Sequence, residues 1–229
     1  MKNMRLIFSF LLSLVCGVLL VTSCEKEGDG VVAEIGGSAN LAENEVGYTA
    51  DGSIKVNNSS ISSAQLKVVE SKNGIIAVDC SIPVPAAYST KLDQIGYAFA
   101  GEDYTKSKST HFDSQGNYKC TLKIKNTSEG VAYVNSLGKQ CVVMKYDATV
   151  GDSWTYTKKN GKVTEFKVTH KSTAEDYDYI FWKIKVVKVE QTLNEPGLSK
   201  IIYIGNHKYG LVAIELRLDD GMVINATKI

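Results

Sequence analysis

The chain has 229 residues, of which 44% are hydrophobic and 22% are charged, and its formal net charge is +1 at pH 7. This balance excludes the large basic surplus that attracts nucleic acid, and it excludes a strongly acidic tail. A chain of this length buries roughly 70% of its unfolded surface, so it needs no disulfide or metal framework to fold. We therefore expect a self-sufficient globular domain with no nucleic-acid partner, no metal and no cofactor.

The first 24 residues have the composition of a signal sequence. Lys2 and Arg5 give a short positive start. The apolar run over 6–21 is roughly 16 residues long, shorter than the about 20 residues that a membrane-spanning helix needs. Thr22 and Ser23 place small side chains before Cys24, as signal-peptide cleavage requires. We expect a signal peptide over 1–23 and a mature chain from Cys24. The alternatives are an uncleaved membrane helix and an ordinary secretory peptide in which Cys24 is only a thiol.

The sequence Val-Thr-Ser-Cys at 21–24 resembles the bacterial lipobox. The resemblance implies that the Cys24 sulfur carries a diacylglycerol and that its amine carries a further acyl chain such as palmitate. One acyl chain binds a membrane only marginally, at about 0.8 kcal/mol per buried CH₂, whereas several chains give stable anchoring. Residues 25–27 also resemble the surface-export signal of Bacteroidetes lipoproteins. The resemblance implies an outer-membrane lipoprotein, periplasmic or surface-exposed, whose first partner is the membrane that holds Cys24.

Three further cysteines, Cys80, Cys120 and Cys141, lie in the expected mature chain. An exported domain meets an oxidising space, and three thiols allow at most one internal disulfide with one thiol left over. Each cysteine lies in an apolar, strand-like context. This context favours three buried cysteines that act as small hydrophobic side chains and form no disulfide. The alternative is one disulfide between two of them.

Residues 24–45 are rich in glycine and polar side chains and show no sustained period. We expect the lipidated Cys24 and a flexible tether there, mobile from Glu25 to about Gly36. From Val46 onward the pattern is typical of β-structure. We therefore place one β-rich domain over 46–229, with a division near Met144 as the alternative.

The first half of the β-rich region contains one clear hairpin signal. Apolar runs over 65–70 and 75–80 flank Asn73-Gly74, a pair that adopts the positive φ angles of a type I′ turn. Pro83 and Pro85 then end the second strand, because proline cannot donate to a strand ladder. Beyond them the sequence predicts a helical turn over 86–92, a strand over 95–99, an exposed loop over 101–110 and a turn over 113–116.

The strongest period-two signal lies over 118–124. Tyr118, Cys120, Leu122 and Ile124 alternate there with lysine and threonine, which predicts a strand with one apolar and one cationic face. The following segment, 130–138, begins and ends with glycine and is predicted to be a short helix or a loop.

The second half has the same organisation. After an acidic connector over 175–178, apolar residues at 180, 182, 184 and 186 predict one long strand with a single apolar face. The other predicted elements are a strand over 141–144, a hairpin that joins 153–156 to 163–168 through Asn160-Gly161, a turn at Pro196-Gly197, strands over 201–204 and 211–218, and a turn at 219–221 that leads into 222–224.

Short strands separated by turn signals, without a long amphipathic helix, predict an all-β fold. We expect an antiparallel β-sandwich or a curved half-barrel with minor helical turns. The sequence shows no internal repeat of fixed period.

The segment from Val150 to Tyr156 is similar to the VGxxWxY strand of bacterial exported proteins, and the whole mature chain resembles uncharacterised Bacteroidetes lipoproteins. The resemblance implies a β-sheet fold and a cell-envelope location, and no activity. Gly151 fits a tight turn before the strand. Trp154 and Tyr156 share parity and so lie on one face. They are candidate ligand-facing aromatics for a sugar or lipid, and core packing is the alternative.

The sequence shows no metal-ligand spacing, no nucleophile elbow and no phosphate loop, so we predict no catalytic residue and a protein that is not an enzyme. The primary hypothesis is a non-catalytic binding or structural lipoprotein with a protein, glycan or lipid ligand. The alternative is a carrier of an apolar ligand in a concave β-sheet, and a hydrolase of envelope substrates is the weakest hypothesis. A hydrolase would require clustered Asp, Glu or His side chains, among them His111, His170 or His207.

Overall fold

The computed structural model describes residues 34–57, 59–83, 113–114, 117–134, 138–157, 161, 163–195 and 197–229. The predicted signal peptide, Cys24 and the predicted elements over 86–110 lie outside these residues. Strands make up 66% of the structure, which confirms the all-β prediction. Within the described part, the helical content is a single 3₁₀ turn, Ala42–Asn44.

Twelve of the strands form one antiparallel sheet, with the order β6-β5-β4-β3-β2-β1-β14-β13-β12-β11-β8-β7, and β9 pairs with β10 in a separate hairpin. The strands are β1 (Thr49–Val56), β2 (Ser59–Lys72), β3 (Ile75–Pro83), β4 (Asn117–Asn126), β5 (Gly130–Val134), β6 (Gln140–Lys145), β7 (Ser153–Thr157), β8 (Val163–Lys171), β9 (Tyr177–Tyr179), β10 (Trp182–Ile184), β11 (Val187–Glu195), β12 (Leu198–Asn206), β13 (Gly210–Leu218) and β14 (Val223–Lys228).

The chain starts in the middle of the sheet and fills it from both sides. It runs outward from β1 to the edge at β6, crosses to the opposite edge at β7, and returns inward to β14, which pairs with β1. The strands on both sides of Met144 therefore belong to one sheet and one core.

The sheet curls until its two edges meet, so that it is nearly closed and barrel-like. The indole Nε1 of Trp154 in β7 donates a hydrogen bond of 2.7 Å to the carbonyl oxygen of Val142 in β6. Across the interior, the position of a Cβ on Gly205 in β12 lies 3.0 Å from the side chain of Met144. The hydrogen bond from Trp154 links the two edge strands, β6 and β7, which do not pair with each other through a strand ladder.

The core lies inside this curled sheet and is formed by every second side chain of its strands. In β4, Tyr118 and Leu122 are buried while Lys119 and Lys123 are exposed, as predicted. The largest fully buried side chains come from both halves of the chain: Tyr203, Phe166, Ile54, Ile82, Met144, Leu198 and Ile201.

Two of the predicted turns are confirmed by backbone angles. Asn73 and Gly74 have φ angles of 53° and 77°, as a type I′ turn between β2 and β3 requires. Gly151, two residues before β7, has a φ angle of 100°. The turn therefore accounts for the glycine in the VGxxWxY pattern.

Cys80 and Cys141 are buried, as predicted. Cys80 lies opposite Cys120 in the register between β3 and β4.

The prediction of a helix or loop over 130–138 is wrong at its start, because Gly130–Val134 form β5. A Cβ on Gly130 would collide with the carbonyl oxygen of Met144 in the neighbouring strand. The glycine therefore permits a close approach of two backbones and does not break the strand.

The long strand predicted over 180–186 is also wrong. The chain reverses at Ile180 and Phe181, and β9 and β10 pair with Tyr179 opposite Trp182. Phe181 at this tip is 92% exposed, and no glycine or asparagine marks the turn. Ile180 continues the apolar alternation of the following strand, so the sequence pattern does not indicate the chain reversal.

The packed part of the chain begins before the expected boundary at residue 46. Ile35 is buried against Ala132 and Val142 on the outer side of β5 and β6, and Asn44 is buried against the end of β4. Part of the segment predicted as a tether over 24–45 therefore packs on the sheet, while residues 24–33 lie outside the described residues. Hydrogen bonds from Ile35 to Gln140, from Ser38 to Ser128 and from Asn44 to Asn126 join it to the sheet as well.

The turn at Ile180 gives a prediction about stability. Ile180 has a φ angle of 56°, a conformation that is costly for a β-branched residue, whereas asparagine tolerates it. Ile180→Asn is expected to raise the free energy of unfolding by about 1 kcal/mol in urea denaturation. Val163→Asn is the control, because Val163 is an exposed strand residue without a positive φ angle. A gain shared by both variants would show that removal of an exposed apolar side chain, and not the backbone angle, is responsible.

Candidate functional site

The inside of the barrel contains an apolar cavity of about 150 Å³ between β2–β5 and β13–β14. We call it the inner lobe. It lies where the inward-facing side chains of the two halves of the sheet do not meet. Side chains that line it include Leu66, Val78, Ile82, Leu122, Tyr133 and Ile214.

A second space of about 120 Å³ adjoins the inner lobe and shares several lining residues with it, among them Leu66, Tyr133, Leu211 and Lys228. We call it the polar lobe, because Glu43, Asn126 and Lys228 also line it. The two lobes adjoin each other, and we call the pair the channel; its lining is mostly apolar, and Glu43 and Asn126 line the polar lobe alone.

The polar lobe is assembled at one end of the barrel from distant parts of the sequence. Asn126 ends β4, Gly210 begins β13 and Lys228 ends β14, while Tyr146 directly follows β6. In an antiparallel sheet, alternate strands end on the same side, so these residues lie at one end of the barrel although Asn126 and Lys228 are 102 positions apart in the chain (228 − 126).

Asn126 has a fixed amide orientation. The Nδ2 of Asn44 donates to two carbonyl oxygens, of Ala39 and of Asn126, both at 2.8 Å, which leaves the Oδ1 of Asn44 as an acceptor. The Nδ2 of Asn126 donates to that Oδ1 at 3.1 Å. The Oδ1 of Asn126 is therefore an acceptor as well, and among the described residues it has no donor.

Tyr146 carries a second unsatisfied group close to Gly210, although it does not line the polar lobe. Its hydroxyl has no hydrogen-bond partner within the described part of the chain, and Tyr146 and Asn126 are each only 9% exposed. A Cβ on Gly210 would lie 3.6 Å from the Oδ1 of Asn126 and 4.0 Å from the hydroxyl of Tyr146. Both polar atoms thus lie close to Gly210, and both are buried.

Burial and the nearby carboxylate of Glu43 shift the pKa values of Tyr146 and Lys228. Burial raises the pKa of Tyr146, and the carboxylate of Glu43 adds to the effect, so the hydroxyl stays protonated at neutral pH. Burial lowers the pKa of Lys228, and Glu43 opposes that change. The Nζ of Lys228 donates to the carbonyl oxygen of Tyr209 at 2.7 Å. The residues that line the polar lobe therefore include one acid, Glu43, and two amines, Lys67 and Lys228.

Trp154 and Tyr156, the aromatics predicted to face a ligand, lie half-buried on one face of β7 and pack against the core. The Trp154 ring stacks on Phe166 with centroids 6.1 Å apart, and the Nζ of Lys145 lies 5.2 Å from its centroid. Neither aromatic lines the inner or the polar lobe. Their parity is as predicted, and a role in ligand binding stays a prediction.

A serine, a histidine and an aspartate meet after β8, but they do not have the geometry of a catalytic triad. The Ser172 hydroxyl donates to Asp176 at 2.5 Å and accepts from the backbone nitrogen of Val186 at 2.9 Å. His170 approaches both Ser172 and Asp176 through the same nitrogen, Nε2, at 3.3 and 3.8 Å. In a triad, opposite ring nitrogens contact the nucleophile and the acid. This cluster fastens the entry to β9, and the hydrogen bond from Ser172 lowers the pKa of Asp176.

Within the ranges that the structure describes, no three His, Cys, Asp or Glu side chains are arranged to hold a metal ion. The same ranges contain no helix with the length and apolar character needed to cross a membrane.

Comparison with protein-family models, with curated proteins and with solved structures found no match to this chain.

Proposed function

We propose that this protein is a cell-envelope lipoprotein, held to the membrane through Cys24, whose barrel binds an amphipathic ligand without catalysing a reaction. The observation that supports this most directly is the pair of adjoining, mostly apolar lobes inside the barrel, one of which is also lined by Glu43, Asn126 and Lys228. Ligand sites are concave and mostly apolar, with a few placed polar groups, and this channel has both features.

The chemistry of the lining supports the proposal. The inner lobe is bordered mostly by apolar side chains, so an apolar chain bound there would remove apolar surface from water, at about 25 cal/mol per Å². The lipid layer proposed to hold Cys24 is a source of such molecules.

Filling the inner lobe tests the proposal. Ala226 is buried and lines the lobe, so Ala226→Leu is expected to place a larger side chain inside it. We expect the affinity for the apolar fluorophore N-phenyl-1-naphthylamine to fall by about tenfold or more, because the added carbons occupy the ligand volume. Fluorescence titration of the full-length protein measures this.

Ala148→Leu is the matched control, because Ala148 belongs to the same core but lines neither lobe. It is expected to lower stability by overpacking and to leave fluorophore binding unchanged. If the fluorophore does not bind the unmodified protein, or binds Ala226→Leu equally well, the channel is not a ligand site.

A further inference from the structure

We propose that the tip of the β9–β10 hairpin inserts into the surface of a lipid bilayer. The tip consists of Ile180, Phe181 and Trp182, and the pair of Tyr179 with Trp182 closes the hairpin behind it. We call these three residues the apolar tip. The inference goes beyond the proposed function, because it gives the protein a contact with the membrane that involves neither Cys24 nor the channel.

The apolar tip is an uninterrupted run of exposed large hydrophobic side chains. Phe181 is 92% exposed, Trp182 is 50% exposed and Ile180 is 43% exposed. Other exposed large hydrophobic residues of the described chain, such as Val46 and Val150, stand alone in the sequence. Single exposed apolar residues are ordinary, whereas a contiguous apolar patch marks an interaction surface.

The barrel holds the apolar tip in place. Tyr179 and Ile184, on either side of the tip, are buried against β12 and β13, and the ring centroids of Tyr179 and Tyr209 are 5.4 Å apart. Ile180 has a φ angle of 56°, which is costly for a β-branched residue. A costly backbone angle at an exposed isoleucine points to a function of the side chain, because asparagine would suit the turn better.

The size of the apolar tip fits a bilayer better than a protein partner. Aromatic side chains offer about 150–250 Å² each, so the tip exposes roughly 300–400 Å² of apolar surface. A stable protein interface needs about 800 Å² from each partner. The patch does not continue behind the tip on the outer face of the hairpin, because Asp178 and Lys183 pair there at 3.3 Å with exposed side chains. A bilayer accepts a small protruding apolar group without a complementary surface.

The order of residues along the hairpin matches the layers of a bilayer surface. Phe181 at the end would reach the acyl chains. Trp182 carries an amphipathic indole, the side chain that is enriched at membrane–water interfaces. The ion pair of Asp178 and Lys183 would then lie among the polar head groups.

The charges of the hairpin predict which bilayers it enters. Positions 175–188 contain three carboxylates and three amines, those of Glu175, Asp176, Asp178, Lys183, Lys185 and Lys188. The segment has no net charge, so we expect the apolar side chains and not the lysines to drive insertion. Insertion is therefore expected to be similar in neutral and anionic bilayers and insensitive to salt.

The proposed anchor would bring a bilayer within reach of the hairpin. Cys24 precedes the first described residue, Glu34, by ten positions (34 − 24), and a chain of that length spans at most about 35 Å. An acylated Cys24 would therefore keep the barrel close to the lipid surface. At the high effective concentration that a short tether gives, a small tip needs little affinity of its own to insert.

Tryptophan fluorescence tests the inference, because the chain contains only Trp154 and Trp182. The full-length protein is placed in phosphatidylcholine vesicles with brominated acyl chains, and each tryptophan is observed alone. In Trp154→Phe, the emission of Trp182 is expected to fall by about half or more, because bromine quenches groups that lie at the acyl chains. In the matched variant Trp182→Phe, the emission of Trp154 is expected to change by less than about a tenth, since this indole is packed against the barrel.

A second substitution locates the effect at the tip. Phe181→Ser, added to Trp154→Phe, removes the most exposed side chain of the tip and is expected to reduce the quenching by about threefold or more. Val150→Ser is the control, because Val150 is 60% exposed but lies outside the hairpin, and it is expected to leave the quenching unchanged. Addition of phosphatidylglycerol or of about 0.5 M NaCl is expected to change the quenching by less than about twofold.

Iodide in the water phase separates the remaining outcomes. Quenching of Trp182 by iodide but not by bromine would show that the tip faces water. Shielding from both quenchers would show that protein covers the tip, either another part of this chain or a second copy. Either result would overturn the inference. Bromine quenching that disappears at high salt would overturn insertion of the apolar tip in favour of attraction through the lysines.

Failure of the inference is distinguishable from failure of the proposed function. The fluorophore titration measures the channel, and mass analysis of the same preparation shows whether Cys24 is acylated. Neither measurement depends on the apolar tip. Bromine quenching of Trp182 in a preparation with a bare Cys24 would support the inference and overturn the anchor.

Discussion

Gly130→Ala is expected to destabilise the barrel by more than about 4 kcal/mol, the range of the most severe single substitutions. The added Cβ would collide with the carbonyl oxygen of Met144, which is backbone and cannot rotate away. To relieve the collision, β5 and β6 must separate where Gly130 faces Lys145. Whole domains are stable by only about 5–15 kcal/mol, so this loss is expected to leave much of the protein unfolded.

The damage would extend beyond the local pair. Separation of the strands would remove the hydrogen bond of 2.9 Å that the backbone nitrogen of Tyr146 donates to the carbonyl oxygen of Glu129. It would also withdraw Met144 from the core. Since β6 is the strand that closes against β7 and β12, the curl of the sheet depends on this contact.

The control for Gly130→Ala is Gly138→Ala, beyond β5 and just before β6. Gly138 has a φ angle of 80° and no atom within 4 Å of its Cβ position. Its replacement is expected to cost only about 1 kcal/mol from the backbone angle. Circular dichroism and urea denaturation compare the two variants. Equal stabilities would show that the strands can shift to admit a Cβ at residue 130.

The sequence was informative where local chemistry decides the structure. The alternation through β4 predicted its buried and cationic faces, and Asn73-Gly74 predicted both the position and the type of a turn. These signals depend on neighbours within a few residues, so no tertiary information is needed to interpret them.

The sequence misled where a tertiary contact overrides a local preference. Gly130 suggested a break, yet the close approach of Met144 requires a glycine within a strand. Ile180 suggested a continuing strand, yet the chain reverses there because Tyr179 and Ile184 both pack on β12 and β13. In each case the deciding partner is supplied by a strand that sequence reasoning could not yet position.

The candidate site was not predictable for a similar reason. Asn126, Tyr146 and Lys228 stand at the ends of three strands, and each by itself resembles an ordinary polar residue beside a turn. Their significance depends on burial and on missing partners, which follow from closure of the barrel. Sequence reasoning instead chose Trp154 and Tyr156, because large aromatics are conspicuous without a structure.

Trp154→Ala is expected to lower the free energy of unfolding by about 3–5 kcal/mol, the usual cost of removing a large packed aromatic. The indole stacks on Phe166, packs beside Ile35 and Val142, and joins the two edges of the sheet through its hydrogen bond to the Val142 carbonyl. Urea denaturation measures the loss, and it should appear without any ligand.

Trp154→Phe separates the hydrogen bond from the packing. It keeps an aromatic ring against Phe166 but removes the Nε1 donor, so it is expected to cost only about 1–2 kcal/mol. Because the indole lines neither lobe, both variants are expected to bind N-phenyl-1-naphthylamine with unchanged affinity under conditions in which they remain folded. A folded Trp154→Phe protein with weakened ligand binding would contradict this assignment and would restore Trp154 as a ligand-facing aromatic. Full binding with reduced stability would establish Trp154 as the residue that joins the edges of the sheet.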